Sequence, residues 1–241
     1  MPLPEFSPYL PSELRSREPV AADQMVIELA APLDALDRYT RPGQFCRVRV
    51  TTEDGEAHEG IFAMLSAPHE RALRFLIRTP NVEGGEAADL LAAAPVGSAL
   101  EITMPAGEGF ALDRSRGRDL AFVATGTAIA PVRAALETVL RDRGAWGALS
   151  LDHGLRSPEH LAIAGDVARW RGLGVEVRLH YSVPQPDGTV LGARAQDAAI
   201  ERVRDVRETA FVAVGQSAMV QELRELVALR GGDPSLVLHN Y

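Results

Sequence analysis

Lysine is absent from this chain: all 25 basic residues among its 241 are arginine. That skew reads as coding bias rather than mechanism. Cysteine is almost absent too. The single Cys46 excludes an intrachain disulfide, a cysteine-based zinc site and a cysteine-ligated iron–sulfur cluster. A lone thiol between Phe45 and Arg47 reads as a small, inert, partly buried residue. No apolar run approaches the roughly 18–20 residues of a membrane span. No leader-like stretch precedes the first polar segment, so a cytoplasmic location is expected. The six histidines have no metal-ligand spacing, and no Ser-His-Asp order or Cys-His pair stands out. His153, His180, Asp152 and Asp166 read as structural or surface groups. There is no basic block, and the net charge is −8, which argues against general nucleic-acid binding. No internal repeat or low-complexity tract appears.

What is present is a large apolar fraction, 46%, enough for a substantial core. The length suits one large domain or two small ones. The two halves differ in texture. Up to about residue 112, apolar segments are short and often alternate. Residues 25–29, 45–50, 73–77 and 100–104 read as strands, separated by turn residues such as Pro42-Gly43, Asp54-Gly55 and Gly97-Ser98. One helical stretch, residues 87–94, interrupts them. This pattern predicts a small antiparallel β-barrel over residues 1–115.

After the charged run 113–118, strand and helix alternate. Strands are expected over 120–124, 148–153, 175–181, 211–214 and 237–238. Helices are expected over 130–143, 157–171, 195–204 and 217–230. That alternation predicts a doubly wound parallel α/β domain over 116–241. Ligands of such sheets bind at the carboxyl ends of strands, where Thr125, Gly154 and Gly215 fall. The most informative turn is ATGTAIAP, residues 124–131. An apolar strand runs into Thr125-Gly126-Thr127, and a helix opens with Pro131 near its first turn. Gly126 lets the backbone approach a ligand closely, and the helix start presents free N–H groups and a positive dipole end. The turn is either a phosphate cradle or an ordinary strand–helix connection.

Several colinear segments resemble the ferredoxin–NADP reductase flavoprotein family over nearly the whole chain. They are PGQF (42–45), LSAP (65–68), PVGSALEI (95–102), PAGEGF (105–110), the ATGTAIAP turn, HGLRS (153–157) and GQSAMV (215–220). The chain also ends on an aromatic, Tyr241. The resemblance implies that the barrel holds FAD and the second domain NADP(H) or NAD(H). Hydride would pass between nicotinamide and flavin, and single electrons to ferredoxin, flavodoxin or another redox partner. On the barrel side it implies Phe62, Ala63, Met64, Leu65, Ser66, Ile77, Arg78, Gly85 and Ala87 at the flavin. On the nucleotide side it implies Thr125, Gly126, Thr127, Arg156, Arg194, Gly215, Gln216 and Met219. Tyr241 would stack on the flavin and yield to nicotinamide, and His239 would relay protons. Arg156 and Arg194 are the candidates for a 2′-phosphate.

The chain departs from the family at the chemistry. The flavin motif Arg-x-Tyr-Ser/Thr is here Gly60-Ile61-Phe62-Ala63. A family Ser or Thr is Ala87 or Ala88. A cysteine beside the nicotinamide is Val214, an arginine is Val183, and an acid near the terminus is His239. Two readings follow. FAD is held by backbone groups and aromatic faces, with Arg78 replacing the missing arginine. Alternatively, flavin binding is weak or lost, and the chain is a nucleotide-binding or partner-binding subunit.

Overall fold

The computed structural model describes residues 6–80, 86–183 and 194–240. Six strands, β1 (Leu10–Ala21), β2 (Gln24–Leu29), β3 (Phe45–Thr51), β4 (Ala57–Ala63), β5 (Leu73–Arg78) and β6 (Ala99–Ile102), form one antiparallel sheet. Their order is β4-β3-β6-β1-β2-β5. The two edges meet just past β4. Met64 bridges Phe75, and the Leu65 N–H donates to the Arg74 carbonyl at 2.7 Å. The sheet therefore closes into a barrel, which removes its exposed edges. Inward residues Leu14, Ile27, Cys46, Val48, Phe75 and Ile102 are all fully buried. Helix α2 (Ala87–Ala93) packs Ala88 and Leu91 onto that core. A short helix α1 (Ala35–Arg38) precedes β3.

β1 escapes a sequence reading for a physical reason. It carries Pro11 and Pro19 and is mostly exposed. Its first part, residues 10–13, pairs only with β6, and the rest pairs only with β2. Each half thus has one free side, where a proline's missing N–H costs no ladder bond. β4 escapes for a different reason: Gly60 and exposed Glu59 and Ile61 blur its alternation.

The second half is a parallel sheet: β7 (Asp119–Thr125), β8 (Leu149–Leu155), β9 (Glu176–Tyr181), β10 (Thr209–Val214) and β11 (Val237–Leu238), in the order β11-β10-β7-β8-β9. Helices α3 (Ile129–Arg141) and α4 (Ala164–Gly172) share one apolar cluster, and α5 (Ala195–Arg202) and α6 (Ser217–Leu229) another, so both faces are covered. Doubly covered strands read as unbroken apolar runs, and every residue of β10 is buried. Strand order reverses at β7, between β8 and β10, the position where such sheets bind ligands.

The helix expected from Ser157 begins only at Ala164. Residues Pro158–His160 form a single tight turn instead. The carbonyls of Glu159 and His160 accept from the Ala22 N–H and the Gln24 amide, both at 2.9 Å. Ser157 Oγ also bonds His160 Nδ1 at 2.7 Å. These contacts dock the β1–β2 hairpin and use groups that a helix would need. The two sheets share one core: Leu65, Leu76, Phe110 and Leu112 pack in the same cluster as Phe122, Ile129 and Trp146.

Candidate nucleotide site at the carboxyl end of the parallel sheet

β7 ends at Thr125, and Gly126 follows with φ of +53°, in the left-handed region that suits glycine. Gly126, Thr127 and Ala128 form a tight turn into α3. The turn is fixed from the next strand. His153 on β8 lies opposite Ala124 and reaches the Gly126 carbonyl through Nε2 at 3.0 Å. A carbonyl can only accept, so Nε2 carries the proton. Burial lowers the His153 pKa to about 4, and the ring is neutral at pH 7. Because the peptide is planar and trans, aiming this carbonyl at His153 turns the Thr127 N–H the other way.

Around the turn, Thr125, Gly215 and Met219 converge. A Cβ on Gly215 would lie 2.6 Å from Thr125 Oγ1 and 3.0 Å from Met219 Cε. Gly154 presses Thr125 from β8, where a Cβ would sit 3.2 Å from its Cγ2. Thr125, Gly154 and Met219 open onto a cleft of about 750 Å³ that is also lined by His180, Ser182, Arg194, Gln216 and Glu222. Its volume is in the range of small-molecule and cofactor sites.

The cations are arranged otherwise than the motifs imply. Arg194 is spent on two carboxylates. Its Nε and Nη2 donate to Asp197 at 2.8 and 3.2 Å, and Nη1 donates to both Glu222 oxygens at 2.9 and 2.8 Å. Hydrogen bonds from Arg194 and then Gln196 hold the Glu222 carboxyl below its ordinary range. Arg156 is exposed on the loop after β8 and does not line the cleft. Beneath the cleft, buried Asp152 accepts from His180 Nε2 at 2.8 Å and from Arg202, a structural cluster.

On the barrel side, the side chains divide. Met64, Leu65, Ile77 and Ala87 are buried at 0, 6, 2 and 1% exposure, inside the packing rather than on a surface. Ser66 is fully buried, and its hydroxyl is committed within its own loop: it donates to the Ala72 carbonyl and accepts from the Arg74 N–H. Ala63 ends β4, partly exposed. Phe62 lies on its own strand over Gly60. A Cβ at Gly60 would meet the Phe62 ring at 2.6 Å and the Ala87 Cβ at 3.3 Å. Where the family motif has an arginine, this chain has apolar packing. His58, on the same face of β4, has the carboxylates of Glu56 and Glu86 within 3.9 and 3.2 Å of its ring nitrogens.

Arg78, at the end of β5, does face the nucleotide turn. A Cβ on Gly126 would lie 3.1 Å from its Nη2. Its Nε is buried without a hydrogen-bond acceptor, 3.5 Å from Asp23 Oδ2. Nη2 is thus the nitrogen that sits by the Gly126 turn while Nε faces Asp23, and a guanidinium placed there suits an anionic group such as the FAD pyrophosphate. His239 is half-buried, and the following Asn240 donates to the Gly43 carbonyl at 3.3 Å, bringing the tail to the barrel. Gly85 and Tyr241 lie outside the described residues. Sequence reasoning missed Asp23, Asp197 and Glu222; the last two declare themselves only through the packing of α5 on α6.

Among the described residues, no group of His, Cys, Asp or Glu is placed to hold a metal ion, and no helix is long and apolar enough to cross a membrane.

Residues 122–225 match the oxidoreductase NAD-binding domain family. No curated protein sequence matches the chain. Solved structures do resemble it in fold. A cytochrome P450 reductase from Amycolatopsis superposes with a TM-score of 0.79 at 23% identity, over 97% of this chain and 70% of that one. The flavohem-like FAD/NAD-binding domain of a Vibrio cholerae nitric oxide dioxygenase gives 0.78 at 18%, over 95% and 97%. A Neisseria gonorrhoeae ferredoxin NADP+ reductase with bound FAD and NADP gives 0.76 at 18%, over 92% of each. The chain thus shares the fold of these reductase structures, an antiparallel barrel followed by a parallel sheet, and residues 122–225 of its parallel half match the oxidoreductase NAD-binding domain family.

Proposed function

We propose that this chain is a flavin-dependent NAD(P)H oxidoreductase. It would take hydride from the nicotinamide and pass electrons singly to a separate ferredoxin, flavodoxin or other redox protein. The observation that carries this reading is the meeting of Arg78 with the Gly126 turn, which sets a barrel cation against a nucleotide turn across the junction of the two sheets. FAD, when bound, supplies the acceptor for hydride and the donor of single electrons.

The chain's own groups have distinct tasks. Gly126 and Thr127 present backbone N–H groups to the nucleotide pyrophosphate, and His153 holds the turn in that orientation. Thr125, Gly215 and Met219 form a closely packed wall against which a nicotinamide ring is positioned. Arg78 neutralises the flavin pyrophosphate from β5. His239, in the tail that folds back on the barrel, exchanges protons with solvent.

A second reading has its own support. The apolar packing of Phe62 on Gly60 and Ala87 occupies the place where the family motif puts an arginine and a hydroxyl. In that reading the chain keeps the nucleotide cleft and serves as a flavin-poor partner subunit. Incubating the purified chain with FAD and measuring the flavin that stays with it separates the two. Stoichiometric retention supports the reductase, and no retention leaves the subunit.

A further inference from the structure

We infer that the cleft selects NADH over NADPH, with Glu222 the residue that sets the preference and Arg194 its counter-ion rather than a phosphate ligand. This rests on the nucleotide reading of the cleft and deepens it.

The argument is one of charge and hydrogen bonding where α5 and α6 line the cleft. Arg194, Asp197 and Glu222 form a closed unit there, with one guanidinium shared by two carboxylates. The unit has a net charge of about −1. Four of the arginine's donor contacts already go to those carboxylates, so little of its fork is left for a ligand. Gln196 donates to Glu222 Oε2 at 2.9 Å and holds the carboxylate in place from α5.

A 2′-phosphate brings a charge of about −1.5 to −2 at neutral pH. Set beside a carboxylate whose own cation is spent, it meets repulsion and no matching donor. A ribose diol meets the opposite. Its hydroxyls donate to the carboxylate, the arrangement by which an acidic residue reads an unphosphorylated ribose.

Among the described residues, Arg194 is the only arginine that lines the cleft. His180 is bonded to Asp152, and Arg202 is bonded to the same carboxylate. Arg178 is paired with Glu176. The remaining cation of this region, Arg156, stands outside the lining.

The test is calorimetric binding of ADP-ribose and of its 2′-phosphate to the purified full chain, which needs neither flavin nor turnover. ADP-ribose is expected to bind at least about tenfold more tightly. Glu222→Gln should narrow that gap. Arg194→Ala should widen it, because it leaves two carboxylates uncompensated. Arg156→Ala should leave the ratio unchanged. Equal or tighter binding of the 2′-phosphate, lost in Arg194→Ala or Arg156→Ala, overturns the inference while the nucleotide reading stands. Binding of neither compound overturns the nucleotide reading, and the inference falls with it.

Discussion

Arg133 on α3 grips Glu70 of the barrel with two nitrogens, Nη1 to Oε2 at 2.8 Å and Nη2 to Oε1 at 3.1 Å. The same guanidinium donates to the Leu65 carbonyl at 3.1 Å and through Nε to Asp166 at 2.7 Å. One side chain thus ties the barrel to the first helix of the parallel half, one helical turn past Ile129. Burial pushes the Glu70 carboxyl up, but the Arg133 bonds and the Ala67 N–H outweigh it and hold it below its ordinary range.

Breaking this clamp is expected to be costly. Arg133→Ala leaves Glu70 partly buried without its arginine and Asp166 with Arg169 alone, and should lower the unfolding free energy by about 3 kcal/mol in urea denaturation. Glu70→Gln keeps a hydrogen-bonding oxygen and should lose less. A loss under about 1 kcal/mol for Arg133→Ala would mean that the apolar contacts alone hold the halves together.

His153 gives a pH signature. Its folded pKa, about 4, lies below the unfolded value of about 6.5. Between those values the unfolded chain takes up a proton that the folded chain refuses. Stability from this residue is therefore complete above pH 6.5 and is lost as pH falls toward 4, by about 3 kcal/mol. Comparing denaturation at pH 7 and pH 4.5, His153→Gln should lack this slope. Its amide can still donate to the Gly126 carbonyl, so nucleotide binding should survive, whereas His153→Leu should weaken it.

Gly215 tests the wall of the cleft. An added methyl meets Thr125 Oγ1 and Met219, both facing the site. Gly215→Ala should weaken ADP-ribose binding by roughly tenfold or more while costing only about 1–3 kcal/mol of stability. Unchanged affinity would move the nucleotide away from Gly215.

Arg78 tests the flavin assignment. If its guanidinium holds the pyrophosphate, Arg78→Ala should raise the FAD dissociation constant by about ten- to a hundredfold, the value of a charged hydrogen bond. Fluorescence titration reads this directly. Equal affinity in the variant assigns Arg78 to Asp23 alone.

The parallel half was the more legible in sequence. β7 and β10 are buried on both faces, so their apolar runs stand out, and the glycine-bearing turn follows one of them. The barrel was less legible because β1 is exposed, holds two prolines and changes partner midway. The 157–163 segment misled for another reason. Its side-chain pattern suits a helix, but tertiary bonds to the β1–β2 hairpin claim its carbonyls. At the site, the two glycines were legible and the charge pairing was not. Gly126 and Gly215 are needed for close approach, which a motif encodes. The fate of Arg194 depends on Glu222, which lies 28 positions away on a neighbouring helix, and no local pattern reports that pairing.

The most direct measurement is the visible absorbance of the chain reconstituted with FAD, recorded without oxygen before and after NADH. A bound-flavin band that bleaches on NADH addition, and returns when a one-electron acceptor is supplied, is the expected result. A colourless protein that takes up no flavin, or a flavin band untouched by either nicotinamide nucleotide, would contradict the reductase reading.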